Sequence, residues 1–160
     1  MKKVLIGIVV LVVLFVSYKL LSPLWTEVVV DEAIPVIQST EVAKENTPTA
    51  EEQQVKTIKQ GTFTGFDRTH NGSGVVSIIS VGGKNFIRFE EDFVVTNGPD
   101  LYVGLGEAGK YIKGSELAKL KGTKGSQNYE LPASTSPESI KEVWVWCKAF
   151  SVPFAKAVLE

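Results

Sequence analysis

Hydrophobic and polar positions divide the 160-residue chain into three stretches. Residues 4–16 carry no polar side chain, and residues 26–55 are mostly polar. From about residue 56 onward, short apolar runs alternate with Gly, Asn and Pro, a pattern typical of strands separated by turns. This last stretch predicts an all-β fold, a single antiparallel β-sandwich of about seven or more short strands over residues 56–160.

The individual strands follow from apolar runs bounded by turn residues. The run at 143–152 is apolar on both faces, which predicts a central strand. Ser115 is predicted to cap one short helical turn over 115–120. The predicted strands are 57–66, 75–81, 86–89, 93–96, 101–105, 127–131 and 143–152.

The amino-terminal residues 1–25 are predicted to form a signal anchor, a single transmembrane helix. Lys2 and Lys3 precede the apolar run, and extending the run to Trp25 gives a length that can cross a core about 30 Å thick. A cleaved signal peptide is the alternative, but no Ala-x-Ala pair marks a cleavage site. We therefore expect a single-pass membrane protein that contacts the membrane through residues 4–25.

The distribution of charge predicts the orientation of the chain in the membrane and the character of residues 26–55. Because the positive end of such a helix stays in the cytoplasm, residues 26–160 are expected to face outside the cytoplasm, as a monomeric ectodomain. Residues 26–55 hold one lysine against seven acidic residues, a net charge of −6, together with two prolines. They predict an acidic, flexible linker between the helix and a domain at 56–160. The alternative for its apolar start, residues 28–37, is that it forms a short strand or packs on the domain.

Composition excludes most familiar chemistry. The chain has one Cys, one His and one Met, so it holds no internal disulfide, Cys-x-x-Cys pair, zinc knuckle or c-type haem attachment. It has no P-loop motif, and one His cannot supply a two-His blue-copper set. Residues 56–160 carry a net charge of only +2 without a basic stripe, which gives no reason to expect a nucleic-acid partner.

Two groups of residues form a specific combination of motifs. One group runs from the Phe-Thr-Gly-Phe at 63–66 through His70 to Asn-Gly-Pro-Asp-Leu-Tyr-Val at 97–103. The other contains Trp-Val-Trp-Cys-Lys at 144–148. Together they resemble the DM-thirteen domain, also called the electron-transfer DM domain. The resemblance covers about residues 58–159 and implies an extracytoplasmic β-sandwich with a proposed redox role.

The resemblance also implies candidate site residues. The family's Cys falls on Cys147 and its His on His70, which makes Cys147 a candidate redox thiol and both residues candidate cofactor ligands. Thiolate and imidazole are both known axial ligands, so a b-type haem is a candidate cofactor, although none is identified from the residues themselves. A redox protein is the expected partner, and whether the chain is an enzyme stays open.

The alternative is a non-catalytic extracytoplasmic binding or cell-envelope-associated module, in which Cys147 is a small buried core residue. Strand alternation favours this interpretation, since Val143 and Val145 share its face. Trp144 and Trp146 share the other face, where they serve either as packing or as an exposed binding platform. The acidic run at 90–92 is interpreted as a solvated corner, with calcium ligation as its alternative.

Overall fold

The computed structural model describes residues 2–21, 27–36 and 54–160 of the chain, and within the helix the side chains of residues 7–17. The amino-terminal apolar run forms the helix α1, Lys2–Leu21, whose large apolar side chains between Ile8 and Val16 are exposed. The predicted transmembrane helix is not confirmed: within the described residues, no helix is both long and apolar enough to cross a membrane.

In the rest of the described chain the regular elements are β-strands, with a single 3-10 turn at Pro137–Ser139. Neighbouring strands pair antiparallel, and the isolated bridge between Val29 and Lys124 is parallel. The strands are β1 Lys56–Gly65, β2 Gly72–Ser73, β3 Val75–Val81, β4 Lys84–Phe89, β5 Val94–Val95, β6 Leu101–Glu107, β7 Lys110–Tyr111, β8 Ala118–Lys119, β9 Gln127–Glu130, β10 Glu142–Cys147 and β11 Val152–Val158.

Nine of these strands form one sheet that curls on itself, in the order β7-β6-β10-β11-β1-β3-β4-β9, with β8 beside β6; β2 and β5 pair separately. The predicted all-β antiparallel fold is confirmed, but the two predicted layers are halves of one sheet. They are joined by β1, which pairs with β3 over Lys56–Thr62 and with β11 over Phe63–Gly65. A strand that passes from one layer to the other lets both inner faces share a core.

That core is apolar and contains side chains from both halves. Phe89 on β4 lies at its centre, with ring centroids 4.9 Å from Phe63, 4.5 Å from Phe93 and 5.3 Å from Tyr129. Val103 on β6 approaches from the other half and is also fully buried. The alternation of inward apolar residues therefore holds the two halves together.

Two predicted elements differ from the structure. The run at 143–152 is not one strand: β10 ends at Cys147 and β11 begins at Val152, after a turn in which Ser151 has φ +54°. The predicted helical turn at 115–120 is absent because the Ser115 hydroxyl bonds both the N–H and the C=O of Leu105. This holds the segment alongside β6, where it forms β8.

The segment 27–36 lies against the domain, which is the alternative interpretation of the linker's apolar start. The Val30 N–H donates to the Lys124 carbonyl at 2.9 Å, and the Glu32 N–H donates to the Ser126 carbonyl at 3.0 Å. The Glu32 carboxylate accepts bonds from Lys121 Nζ and from the Asn128 N–H, both at 2.8 Å. The part of the predicted linker at 37–53 lies outside the described residues.

Glu32 is expected to control this docking. Although burial alone raises the pKa of Glu32, the hydrogen bond and charge of Lys121 and the bonds from Asn128 hold it below its ordinary value of 4.5. The ionised Glu32 carboxylate therefore stabilises the docked segment fully above pH 4.5, and this stabilisation is lost as pH falls through the lowered pKa of Glu32. Glu32→Gln should speed hydrogen exchange at the Val30 amide about three- to tenfold at pH 7.

The matched control is Glu27→Gln, an exposed carboxylate of the same segment. It should leave exchange at Val30 unchanged. Equal effects of the two substitutions would mean that loss of one negative charge, rather than the Glu32 contacts, loosens the segment.

Candidate functional site

Cys147, the predicted redox thiol, is the last residue of β10 and is 0% exposed. Its backbone pairs with Leu101 on β6 and Val152 on β11, so the residue has neighbouring strands on both sides. Its side chain belongs to the main apolar core, together with Val143 and Val145 of the same strand. A thiol in this position cannot meet a dissolved disulfide or oxidant unless the strands separate.

His70 lies in the turn that follows β1, and Asp67 orients it. Its Nδ1 is 2.8 Å from Asp67 Oδ2, and Asp67 Oδ1 accepts the N–H groups of Thr69 and His70 at 2.7 Å. Hydrogen bonds from His70 and then Thr69 hold the pKa of Asp67 well below its usual range. The imidazole ring packs perpendicular to the ring of Phe154, with centroids 4.8 Å apart.

Phe154, which contacts His70, is the bulged residue of β11. Val145 and Trp146 of β10 oppose Ala155 and Pro153, which leaves Phe154 as the extra residue. Its ring also lies over Gly98, where a Cβ would stand 2.7 Å from Cζ of Phe154. Gly98 is therefore required for close packing and not for a positive φ, the property that the Asn-Gly-Pro-Asp turn suggests.

The described contacts do not bring Cys147 and His70 together. Cys147 is enclosed in the core, and His70 contacts Asp67, Thr69 and Phe154. Five cavities in the described part of the chain have neither residue in their lining. A haem held between the two would need an open slot reaching both, so these residues do not fit paired axial ligation of haem.

The acidic run at 90–92 serves the protein's own hydrogen bonds. Glu90 accepts bonds from Ser77 Oγ at 2.8 Å and Arg88 Nε at 3.0 Å, and Asp92 accepts the Val75 N–H at 2.9 Å. No cluster of three His, Cys, Asp or Glu side chains suited to a metal ion occurs in the part of the chain that the structure describes.

The outer face of β10 and its neighbours carries a cluster that we call the aromatic groove, formed by Phe66, Tyr111, Trp144 and Trp146. Tyr111 and Trp146 are stacked, with centroids 4.3 Å apart and an angle of 3° between the rings. Trp144 is 3% exposed and lies 5.5 Å from Phe66 and 6.1 Å from Tyr111. The four rings border a cavity of about 780 Å³.

Glycines on β6 make room for these rings. Gly104 and Gly106 face the same side as Trp144, and a Cβ on Gly104 would lie 2.7 Å from Tyr111 Cε2. A Cβ on Gly106 would lie 2.6 Å from Trp144 Cδ1. Two aromatic rings therefore rest on backbone that has no side chains of its own, which is a way of covering glycine in a sheet.

Trp144 is also fixed by a buried carboxylate. Its Nε1–H donates to Glu142 Oε2 at 2.8 Å, and the Gly109 N–H donates to Glu142 Oε1 at 2.7 Å. Both carboxylate oxygens are thus used to hold the indole and the turn between β6 and β7. The groove is consequently a preformed surface rather than a loose collection of side chains.

Charged and polar groups surround the rings. Lys110, Lys113 and Lys148 line the cavity, with Glu116 as its one lining carboxylate among the described residues. Burial, followed by the negative charge of Glu116, raises the pKa of Tyr111 to about 12. The phenol is therefore neutral at physiological pH, and the cavity has an excess of positive charge.

Gly106→Ala is expected to disturb this cluster. The added methyl would force the Trp144 ring or the Lys110 carbonyl to move, lowering the free energy of unfolding by about 1–3 kcal/mol. Denaturant titration measures that loss, and tryptophan emission should shift to longer wavelength as Trp144 becomes hydrated. Gly7→Ala is the control, since a Cβ there meets nothing within 4 Å. An unchanged emission spectrum in Gly106→Ala would contradict the packing described for Trp144.

Sequence reasoning identified the shared face of Trp144 and Trp146 but not Tyr111, Phe66 or the lysines as parts of one site. The sequence feature that could have indicated the groove is the pairing of the Gly-x-Gly motif of β6 with the Trp-x-Trp motif of β10. It becomes informative only when the register is known, with Trp144 opposite Gly104.

Comparison with known proteins identifies the family. The Electron transfer DM13 model matches residues 62–159, which includes both Cys147 and His70 and all four aromatic residues of the groove. No curated protein and no solved structure matches the chain. The match covers more than half of the chain and spans β-structure from the end of β1 to the end of β11. The chain belongs to the Electron transfer DM13 family.

Proposed function

We propose that this protein takes part in electron transfer outside the cytoplasm, with the aromatic groove as the place where a redox-active ligand or partner is received. The observation that carries the proposal is the contact between Tyr111, Trp146 and Trp144 beside a cavity, in a domain of an electron-transfer family. Cavities used for ligands are typically lined by aromatic side chains with a few polar groups.

Cys147 and His70 have different places in this proposal. Cys147 follows Trp146 directly in β10. The two residues are therefore adjacent in sequence, although the Cys147 side chain belongs to the core and Trp146 belongs to the groove. Cys147 acts as a redox thiol only if β10 and β11 open. His70 Nδ1 is engaged by Asp67, which leaves Nε2 as the ring atom for a ligand.

A second function is favoured by the burial of Cys147. A thiol that is 0% exposed among Val143, Val145 and other apolar side chains has the surroundings of a structural residue. In this alternative the domain binds a ligand or an envelope component through the groove and transfers no electrons.

The protein extracted with detergent from the membranes of its producing cells provides the test, because it carries what it binds. We expect absorbance beyond the protein band that changes on reduction with dithionite and returns on reoxidation. Loss of the signal in Trp146→Ala, with retention in Cys147→Ala and His70→Ala, places the redox group in the groove. A correctly folded protein without such absorbance favours the binding module.

The proposed location rests on the amino-terminal sequence. Lys2 and Lys3 precede the apolar part of α1, and the described apolar side chains of this helix are exposed rather than buried against the domain. This arrangement supports the proposal that residues 4–25 contact a membrane and that residues 26–160 lie outside the cytoplasm. Protease added to cells whose cytoplasmic membrane is intact, but whose outer layers have been removed, should digest the domain. Protection of the domain would contradict this location.

A further inference from the structure

We infer that the ligand of the aromatic groove is a planar aromatic anion. This inference rests on the proposed function for the place of the ligand and concerns binding alone. It follows from the shape of the groove, from the charges around it and from the absence of competing acidic partners among the described lysine contacts.

The shape suits a flat molecule. Tyr111 and Trp146 are stacked face to face, with centroids 4.3 Å apart and rings parallel to within 3°, so a flat ligand placed on either ring extends an existing aromatic stack. Pro153, opposite Trp146 on β11, also lines the cavity. The cavity of about 780 Å³ lies within the roughly 300–1,000 Å³ usual for pockets that hold a small ligand.

The charge around the cavity selects an anion. Lys110, Lys113 and Lys148 line it against the single carboxylate of Glu116. Within the described parts of the chain, ion pairs are formed by other lysines, Lys84, Lys119 and Lys121 among them, and none of the three groove lysines takes part in one. Three ammonium groups beside an apolar surface favour a ligand that supplies both rings and negative charge.

Two of the neighbouring cations are already directed toward aromatic rings. Lys148 Nζ lies 5.2 Å from the Tyr102 centroid, and Lys156 Nζ lies 5.5 Å from the Trp144 centroid. These interactions keep ammonium groups close to the groove without neutralising them. An anion on a stacked ring system would therefore meet positive charge that is already in place.

Flavin mononucleotide and riboflavin test the inference as a matched pair, because they share one ring system and differ by a phosphate. The full chain in detergent is titrated into each, with flavin fluorescence polarisation as the measurement. We expect flavin mononucleotide to bind about tenfold more tightly, the combined size expected of two or three partly exposed ion pairs. Inorganic phosphate alone, at the same concentration, should not displace it.

Substitutions locate the site. Lys113→Gln and Lys148→Gln together should bring the two affinities to within about twofold. Lys84→Gln, in the other half of the sheet, should change neither. Equal binding of the two flavins by the unaltered protein, no binding of either, or full displacement by phosphate would each overturn the inference. If the extracted protein shows reversible redox absorbance but no preference for flavin mononucleotide, the inference about the ligand is overturned and the proposed function stands. If the protein prefers flavin mononucleotide but shows no redox absorbance, the proposed function is overturned and the inference stands.

Discussion

Phe89→Ala is expected to lower the free energy of unfolding by about 3–5 kcal/mol, enough to remove a large part of the stability of a domain of this size. Phe89 is fully buried and contacts the rings of Phe63, Phe93 and Tyr129. Alanine would leave a cavity that these three rings cannot close, because they belong to different strands or turns. Equilibrium denaturation of the full chain measures the loss.

Phe150→Ala is the matched control, since it removes the same atoms from a side chain that is 69% exposed. Its effect should stay within about 0.5 kcal/mol. Similar losses in both variants would show that the ring of Phe89 is not enclosed as described, and a loss only in Phe89→Ala confirms the shared core.

Cys147→Ser is expected to lower the free energy of unfolding by about 1–3 kcal/mol, because it buries a hydroxyl among apolar side chains. Cys147→Ala removes the sulfur without adding a polar group and should cost less than the serine substitution. Denaturant titration of the two variants gives the comparison. This difference depends on the core environment of Cys147, whether or not the thiol has a redox role.

Thiol labelling supplies the independent measurement. An aromatic disulfide reagent should fail to label Cys147 in the native protein and should label it fully in denaturant, since the side chain is 0% exposed. Rapid labelling under native conditions, with serine tolerated as well as alanine, would contradict burial and favour an accessible redox thiol.

The strand β3 shows where the sequence is sufficient. Its predicted and observed bounds are the same, Val75–Val81, because turn residues border a β-branched run on both sides. Gly82 and Gly83, which follow it, have φ of +54° and +78°, values that glycine adopts without strain. Local chemistry therefore decides both the strand and its end.

The β10–β11 hairpin shows where the local sequence pattern is insufficient to predict the structure. The turn after Cys147 contains no glycine, proline or asparagine, and Ser151 adopts the left-handed conformation instead. Apolar residues continue through this turn, so the sequence pattern resembles one long buried strand. Tertiary pairing with β6 and β1, and not local preference, places the break.

The site was predictable only in part for a similar reason. The family resemblance identifies Cys147 and His70, but it says nothing about which side chains are exposed. The groove depends on Trp144 and Tyr111 lying over Gly104 and Gly106, and Tyr111 comes from a two-residue strand. Such juxtapositions are set by strand register across distant parts of the chain.

The position of β11 has a consequence for how the protein is made. β11 comes last in the sequence yet lies between β10 and β1 in the sheet, and Phe63 pairs with Ala157. During synthesis the two halves therefore cannot join until residues 152–158 have emerged, since contacts between distant residues form late. The shared core therefore closes only once β11 has paired with both β10 and β1.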